Sequence, residues 1–273
     1  MTLPVRSNDA RGVSRCASVA LVIAIAAGAA ACKTTRSTDV TGSTAMAAAP
    51  SAGPPDVQSW DVRYRANPRD PATAVGYAQA LRNNGQRSQA VAVLEQASIS
   101  NPSSMELLGA YGRALADVGQ YEQALQVLGR AHVPDRPDWR ILNVQGAVLD
   151  QMARHDEARR YYMTALRMVP EEPSVLSNLG LSYALSKDLV QAEAILKRAA
   201  ATGRLVDPRV RQNLALVVGL QGRFAEAEAI ARADLPPDEA AANVAYLRQM
   251  LAQQSARQAA PQPKRGPARP DRS

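Results

Sequence analysis

The sequence predicts an all-α fold, a row of antiparallel helix pairs stacked one on the next, and three observations predict it. Ala90, Ala124, Ala158 and Ala192 stand 34 residues apart, and Ala227 follows after 35. A fixed period of that length marks a helix-pair repeat whose units bury their apolar faces against their neighbours. The surroundings of each alanine recur as well: nineteen residues before them lie Pro71, Met105, Trp139, Pro173 and Pro208, the repeat starts. Finally, turn signals such as Asn83-Asn84-Gly85, Val118-Gly119 and Gln221-Gly222 separate a helix A from a helix B within the repeats.

In chain order, residues 1–31 read as a signal peptide. Arg6, Arg11 and Arg15 form a basic region, and Ala17 to Ala31 an apolar stretch too short for a comfortable membrane span. Ala29-Ala30-Ala31-Cys32 resembles the bacterial lipobox, in which cleavage falls before a cysteine that carries diacylglycerol. Two other readings stay open. The same alanines satisfy ordinary signal peptidase, which would release a soluble periplasmic protein, and an uncleaved anchor is the third. The lipobox usually has leucine where Ala29 stands. Cysteine usage favours lipid: Cys16 lies in the signal, so a chain cleaved before Cys32 has no partner for a disulfide. Acylation of Cys32 would remove a lone thiol. By resemblance to bacterial lipoproteins, Lys33 after that cysteine favours the outer membrane over the inner.

Residues 32–55, rich in Thr, Ser, Ala, Gly and Pro, cannot bury a core and are expected to form a disordered tether. As a flexible coil its ends would lie on the order of 25–30 Å apart. The folded domain is expected over residues 56–252. Trp60 to Ala66, ending at Asn67-Pro68, reads as a leading helix covering the first repeat. Within each repeat the eighth position is small (Ala78, Gly112, Gly146, Gly180, Ala215), and the twentieth is the periodic alanine. The twenty-fourth is Leu94, Leu128, Tyr162, Leu196 or Ala231. Small residues at eight and twenty allow the two helices to approach, with larger ones filling the seam. This pattern resembles the tetratricopeptide repeat from about Pro71 to Asp234, which implies a right-handed superhelix. The fifth copy departs most, since Arg211 stands where an apolar residue is expected. After Pro236-Pro237, Asp238 reads as the N-cap of a closing helix with Ala241, Val244, Leu247 and Leu251 as its apolar stripe. Residues 253–273 carry four prolines and are expected to be a basic, disordered tail.

The net charge of +7 does not mark a nucleic-acid binder. The signal holds +2 and the tail +4, which leaves +1 for everything else. A nucleic-acid-binding solenoid needs a basic stripe on its folded surface, and none is legible. Catalysis lacks parts. His132 and His155 have no metal-ligand spacing, and there is no phosphate-binding glycine loop and no nucleophile elbow. Glu171-Glu172 opens a helix, where negative charge suits the dipole. The expectation is a non-enzyme with no cofactor, no metal and no small-molecule substrate, its one attached group being acyl lipid on Cys32.

The resemblance also implies that positions two, five, nine, twelve and thirteen of each repeat face a concave groove. In the first three repeats these include Gln79, Arg82, Asn83, Glu106, Arg113, Asp117, Arg140, Asn143, Asp150 and Gln151, polar and of mixed sign. In the last two they include Leu181, Leu185, Leu216 and Leu220 beside Ser174, Ser177 and Gln212. An apolar run there suits an amphipathic helix or extended peptide, unless the superhelix turns those leucines into the core. Val75 and Gln79 replace the first two residues of the clamp that some family members use for a partner's C-terminal carboxylate. Trp60-Asp61-Val62-Arg63-Tyr64-Arg65-Ala66-Asn67-Pro68 precedes the repeats. The closing block runs from Asn213-Leu214-Ala215-Leu216 through Gly222-Arg223-Phe224 and Ala233-Asp234-Leu235 to Asn243-Val244-Ala245-Tyr246-Leu247. With the lipoprotein-like start, these blocks resemble the TadD-like lipoproteins of the tight-adherence (Flp) pilus assembly system. That resemblance implies a periplasm-facing outer-membrane lipoprotein that helps a pilus secretin assemble or localise. A general envelope-assembly scaffold and a soluble periplasmic chaperone are the alternatives.

Overall fold

The computed structural model describes residues 56–133, 135–203 and 207–259; the expected signal, Cys32, the tether and the end of the tail lie outside them. The described residues form twelve helices. A leading helix α1 (Val57–Ala66) is followed by five A/B pairs. These are α2 (Pro71–Asn83) with α3 (Arg87–Ser100), α4 (Met105–Asp117) with α5 (Tyr121–Gly129), and α6 (Trp139–Gln151) with α7 (His155–Met168). Then come α8 (Pro173–Leu185) with α9 (Leu189–Ala201), and α10 (Pro208–Leu220) with α11 (Phe224–Ala231). A long α12 (Pro237–Ala259) closes the array. None of the described helices is long and apolar enough to cross a membrane.

All five A helices begin at the residue the repeat register names. Each is opened by a side chain that accepts from the first turn: Asp70, Ser104, Asp138, Glu172 and Asp207. Those oxygens satisfy N–H groups that have no partner inside the helix. Glu172 therefore caps α8 as expected, whereas Glu171 lies outside the helix and pairs with Arg198. Every A helix also ends alike. The fifteenth residue of the repeat takes a left-handed conformation, as Gly85, Gly119, Ala153, Lys187 or Gly222. The next N–H then reaches back to the carbonyl five residues earlier, for example Arg154 to Leu149 at 2.9 Å and Asp188 to Tyr183 at 2.9 Å. This Schellman geometry turns the chain into helix B.

The five periodic alanines are completely buried. The seam between A and B is closer than small-against-small packing requires. A Cβ built on Gly146 would lie 2.5 Å from Tyr162 Cε1, and one on Gly180 would lie 2.6 Å from Leu196 Cγ and 3.3 Å from the Ala192 carbonyl oxygen. Position eight thus lies beneath the large side chain at twenty-four as well as beside the backbone at twenty.

Both ends are sealed. α1 starts three residues before Trp60 because Asp56 caps it, accepting from Ser59 N at 2.8 Å. Trp60 lies over Gly76, Tyr64 stacks on Tyr77 with ring centroids 5.3 Å apart, and the Tyr77 hydroxyl donates to Asp61 at 3.0 Å. At the other end α12 lies against α10 and α11, where a sixth A helix would sit. Its buried stripe is Ala240, Val244 and Leu247, with Leu247 filling the space over Gly219. Two expectations are corrected. The helix begins at Pro237, so Asp238 is in its first turn and does not cap it. It also runs through Ala259, because residues 253–259 hold neither proline nor glycine to stop it.

Arg211, the misfit of the fifth repeat, has a specific partner. Its guanidinium donates through Nε at 2.7 Å and through Nη2 to the two oxygens of Asp234, whose side chain is only 8% exposed. Val210, one position earlier, is buried, as are its register equivalents Leu107, Ile141 and Val175.

Candidate protein-binding groove

Successive A helices touch one another along the array, whereas successive B helices do not. The A helices therefore form the shorter, inner layer, and their free faces line the concave side. Polar side chains there join neighbouring repeats. The Arg82 Nε donates to Asp117 at 2.6 Å and its Nη1 to Gln79 at 2.9 Å, while the Gln79 amide donates to Asn83 at 2.8 Å. Further along, Asn178 donates to Asn143 at 3.0 Å and Asn213 to Ser177 Oγ at 3.0 Å. Each of these two contacts links the sixth position of one repeat to the fifth of the repeat before it. Asn178 and Asn213 were absent from the sequence-based groove set, although their shared register position was a legible signal.

Arg113 is half-buried and makes no ion pair or side-chain hydrogen bond among the described residues. Burial, and then the nearby Arg82 charge, pull its pKa below the ordinary arginine value, against weaker support from Asp138 and Glu106. Leu181, Leu216 and Leu220 are half-buried and Leu185 is 41% exposed. None of the four belongs to the buried clusters that make up the core. They present apolar surface on the inner faces of α8 and α10.

Asp150 leaves the groove set. It is 8% exposed, and its carboxylate accepts from the Tyr162 hydroxyl at 2.9 Å and from Ser182 Oγ at 2.8 Å, with His155 Nδ1 also at 2.8 Å. One carboxylate thereby ties α6 to both α7 and α8. Burial, followed by the charge of Asp150, pushes the Tyr162 hydroxyl far above its ordinary pKa, so it is a permanent donor. No cluster of three or more His, Cys, Asp or Glu able to hold a metal ion occurs among the described residues.

Residues 144–205 and 208–233 match two tetratricopeptide repeat family models, and residues 62–131 match the model for subunit 3 of the anaphase-promoting complex, or cyclosome. No curated protein sequence matches the chain. Among solved structures, PilW, described as a widely conserved type IV pilus biogenesis factor, superposes with a TM-score of 0.60 at 18% identity, covering 68% of this chain and 88% of its own. A thermophilic tetratricopeptide repeat protein of Thermus thermophilus gives 0.58 at 23% identity, with 66% and 100% covered. PilF of Pseudomonas aeruginosa gives 0.54 at 19% identity, with 71% and 98% covered. At these identities the likeness is one of fold. The array is a tetratricopeptide repeat superhelix, an architecture that serves protein–protein interaction.

Proposed function

We propose that this chain is a non-enzymatic scaffold, held at the periplasmic face of the outer membrane by acyl lipid on Cys32, that captures a component of a Flp pilus secretin and assists its assembly or localisation. The observation that carries the reading is the row of leucines, Leu181, Leu185, Leu216 and Leu220, left outside the core on the inner faces of α8 and α10. Apolar side chains held in a groove beside a hydrogen-bonded polar half suit an amphipathic segment whose direction the polar half sets. The pilus setting is supported by the closing sequence block and by a fold shared with PilW, whose description is that of a pilus biogenesis factor. The partner is a protein; no cofactor, small-molecule substrate or nucleic acid enters this reading.

Leu181→Glu with Leu216→Glu tests it. Because both side chains are already half in water, the double variant should melt within a few degrees of the parent and lose capture of the co-expressed secretin from membrane extracts. A variant that stays folded and still captures it overturns the groove. Ala29, where the lipobox usually has leucine, favours a second reading as a soluble periplasmic chaperone. The intact mass of the mature protein separates the two: an acylated chain starting at Cys32 supports the tethered scaffold, and an unlipidated soluble chain the chaperone.

A further inference from the structure

The junction between the second and third repeats is built differently from the others. α5 stops at Gly129 after 9 residues, where α3 and α7 run for 14. The chain then crosses to α6 through residues 130–138, a stretch whose sequence includes Pro134 and Pro137. α4 and α6 touch less than any other neighbouring A helices among the described residues. A pocket of about 380 Å³ opens between them on the groove side.

Its lining is cationic. Arg113, Arg136 and Arg140 all border it, and Gly109 lets α6 approach beside them: a Cβ there would lie 2.7 Å from Ile141 Cδ1. Two carboxylates, Glu106 and Asp138, also line the pocket, and neither approaches Arg113 closely enough for an ion pair. Asp138 is committed to capping α6, accepting from Arg140 N at 2.7 Å. The Arg140 guanidinium lies over the Trp139 ring, 4.5 Å from its centroid. His132 borders the pocket too, and its buried Nδ1 has no hydrogen-bond partner among the described residues. The site is thus short of negative charge and of hydrogen-bond partners. A half-desolvated guanidinium with an open fork gains most from a carboxylate, which it binds through two parallel hydrogen bonds. No phenylalanine, tyrosine or tryptophan lines the pocket for a nucleobase to stack on.

We propose that this pocket receives the side-chain carboxylates of an acidic segment of a partner protein, with Arg113 as the principal contact and Arg136 and Arg140 flanking it. The proposal rests on the groove reading above and names the chemistry of its polar half: acidic residues dock between α4 and α6 while apolar ones lie along Leu181 and Leu216.

The test uses the full chain and a fluorescein-labelled peptide of ten glutamates with an amidated C-terminus, read by anisotropy at low ionic strength. The matched ten-glutamine peptide is the neutral control. Arg113→Gln should weaken binding by about tenfold or more, as expected for loss of a charge-assisted contact, and Arg113→Lys by less. Arg198→Gln removes the same charge from the outer surface, where Arg198 pairs with Glu171, and should leave binding within about twofold of the parent. Arg113 has no ion pair to lose, so its variants should melt as the parent does. Equal weakening by Arg113→Gln and Arg198→Gln overturns the proposal, reducing the effect to general charge attraction. So does a glutamate peptide that binds no better than the glutamine one, or one that binds only with a free C-terminus. The Leu181→Glu/Leu216→Glu variant should bind the glutamate peptide normally. If that variant loses the secretin while the parent ignores glutamate, the pocket alone is wrong. If it keeps the secretin while Arg113→Gln loses the peptide, the pocket stands and the apolar groove falls.

Discussion

Asp150→Ala should loosen the middle of the array out of proportion to the few atoms removed. The substitution leaves the Tyr162 hydroxyl and Ser182 Oγ, both in buried residues, without the acceptor they share. A buried donor left unsatisfied loses about 1–3 kcal/mol. His155 is partly exposed and turns to water at smaller loss. The total is about 3–5 kcal/mol, in the range seen when one partner of a buried charged network is removed. Asp150→Asn keeps one acceptor oxygen and should fall between. Tyr162→Phe deletes one donor together with its need for a partner and should lose only about 1–1.5 kcal/mol. Urea unfolding of the parent, both single variants and the double variant supplies a cycle. The coupling should be about 1–3 kcal/mol in the sense that the second change loses less once the first is made. A loss below about 1 kcal/mol for Asp150→Ala, or strict additivity of the pair, would refute the claim that this carboxylate holds three helices together.

The remaining predictions concern the helix seams and acid stability. Gly146→Ala puts a methyl into Tyr162 and should destabilise by about 1–3 kcal/mol, whereas Gly129→Ala, with open space around it, should be neutral or stabilising by up to about 1 kcal/mol; thermal melts distinguish the two. The Glu193 carboxyl is held down to about 2 from its ordinary 4.5, first by Lys197 and then by Arg223, with Gln221 also donating to it. Its folded pKa is depressed, so its contribution is complete above about 4.5 and fades as pH falls towards about 2. Glu193→Gln should therefore flatten the acid limb of a stability–pH curve in that window and lower stability at pH 7. An unchanged acid limb would exclude Glu193 as a source of acid sensitivity.

The repeat register was legible because the period is set by packing between neighbours. One alanine every 34 or 35 residues placed all five A-helix starts, and no long-range knowledge was needed. What escaped were side chains whose partners lie a whole repeat away. Asp150 stood at a groove position, yet Ser182 reaches it from 32 residues further on. A clue did exist, since a tyrosine at a core position such as Tyr162 needs an acceptor for its hydroxyl. Arg211 was visible as a misfit, but its carboxylate, Asp234, follows only after helices α10 and α11 have folded back on each other. The exposure of Leu181, Leu185 and Leu216 depends on the angle between consecutive repeats, which periodicity does not encode. The pocket between α4 and α6 was hidden for the same reason. Arg113 and Arg140 were legible as groove residues, while the space between them depends on how α6 is set against α4.

That setting has a mechanical side. In an array linked in series, each unit leans only on its neighbours, so bending concentrates where the lean is slightest. The thin packing of α4 on α6 makes their junction the expected joint between two stiffer blocks, one ending with α5 and the other beginning with α6. Arg82 and Arg113 ride on one block, and Asn143, Leu181 and Leu216 on the other. A ligand gripping both blocks would lock the curvature of the array and slow amide exchange across the joint, whereas one confined to a single block would leave the joint free. Which amides slow on binding thus reports how far along the array a partner extends.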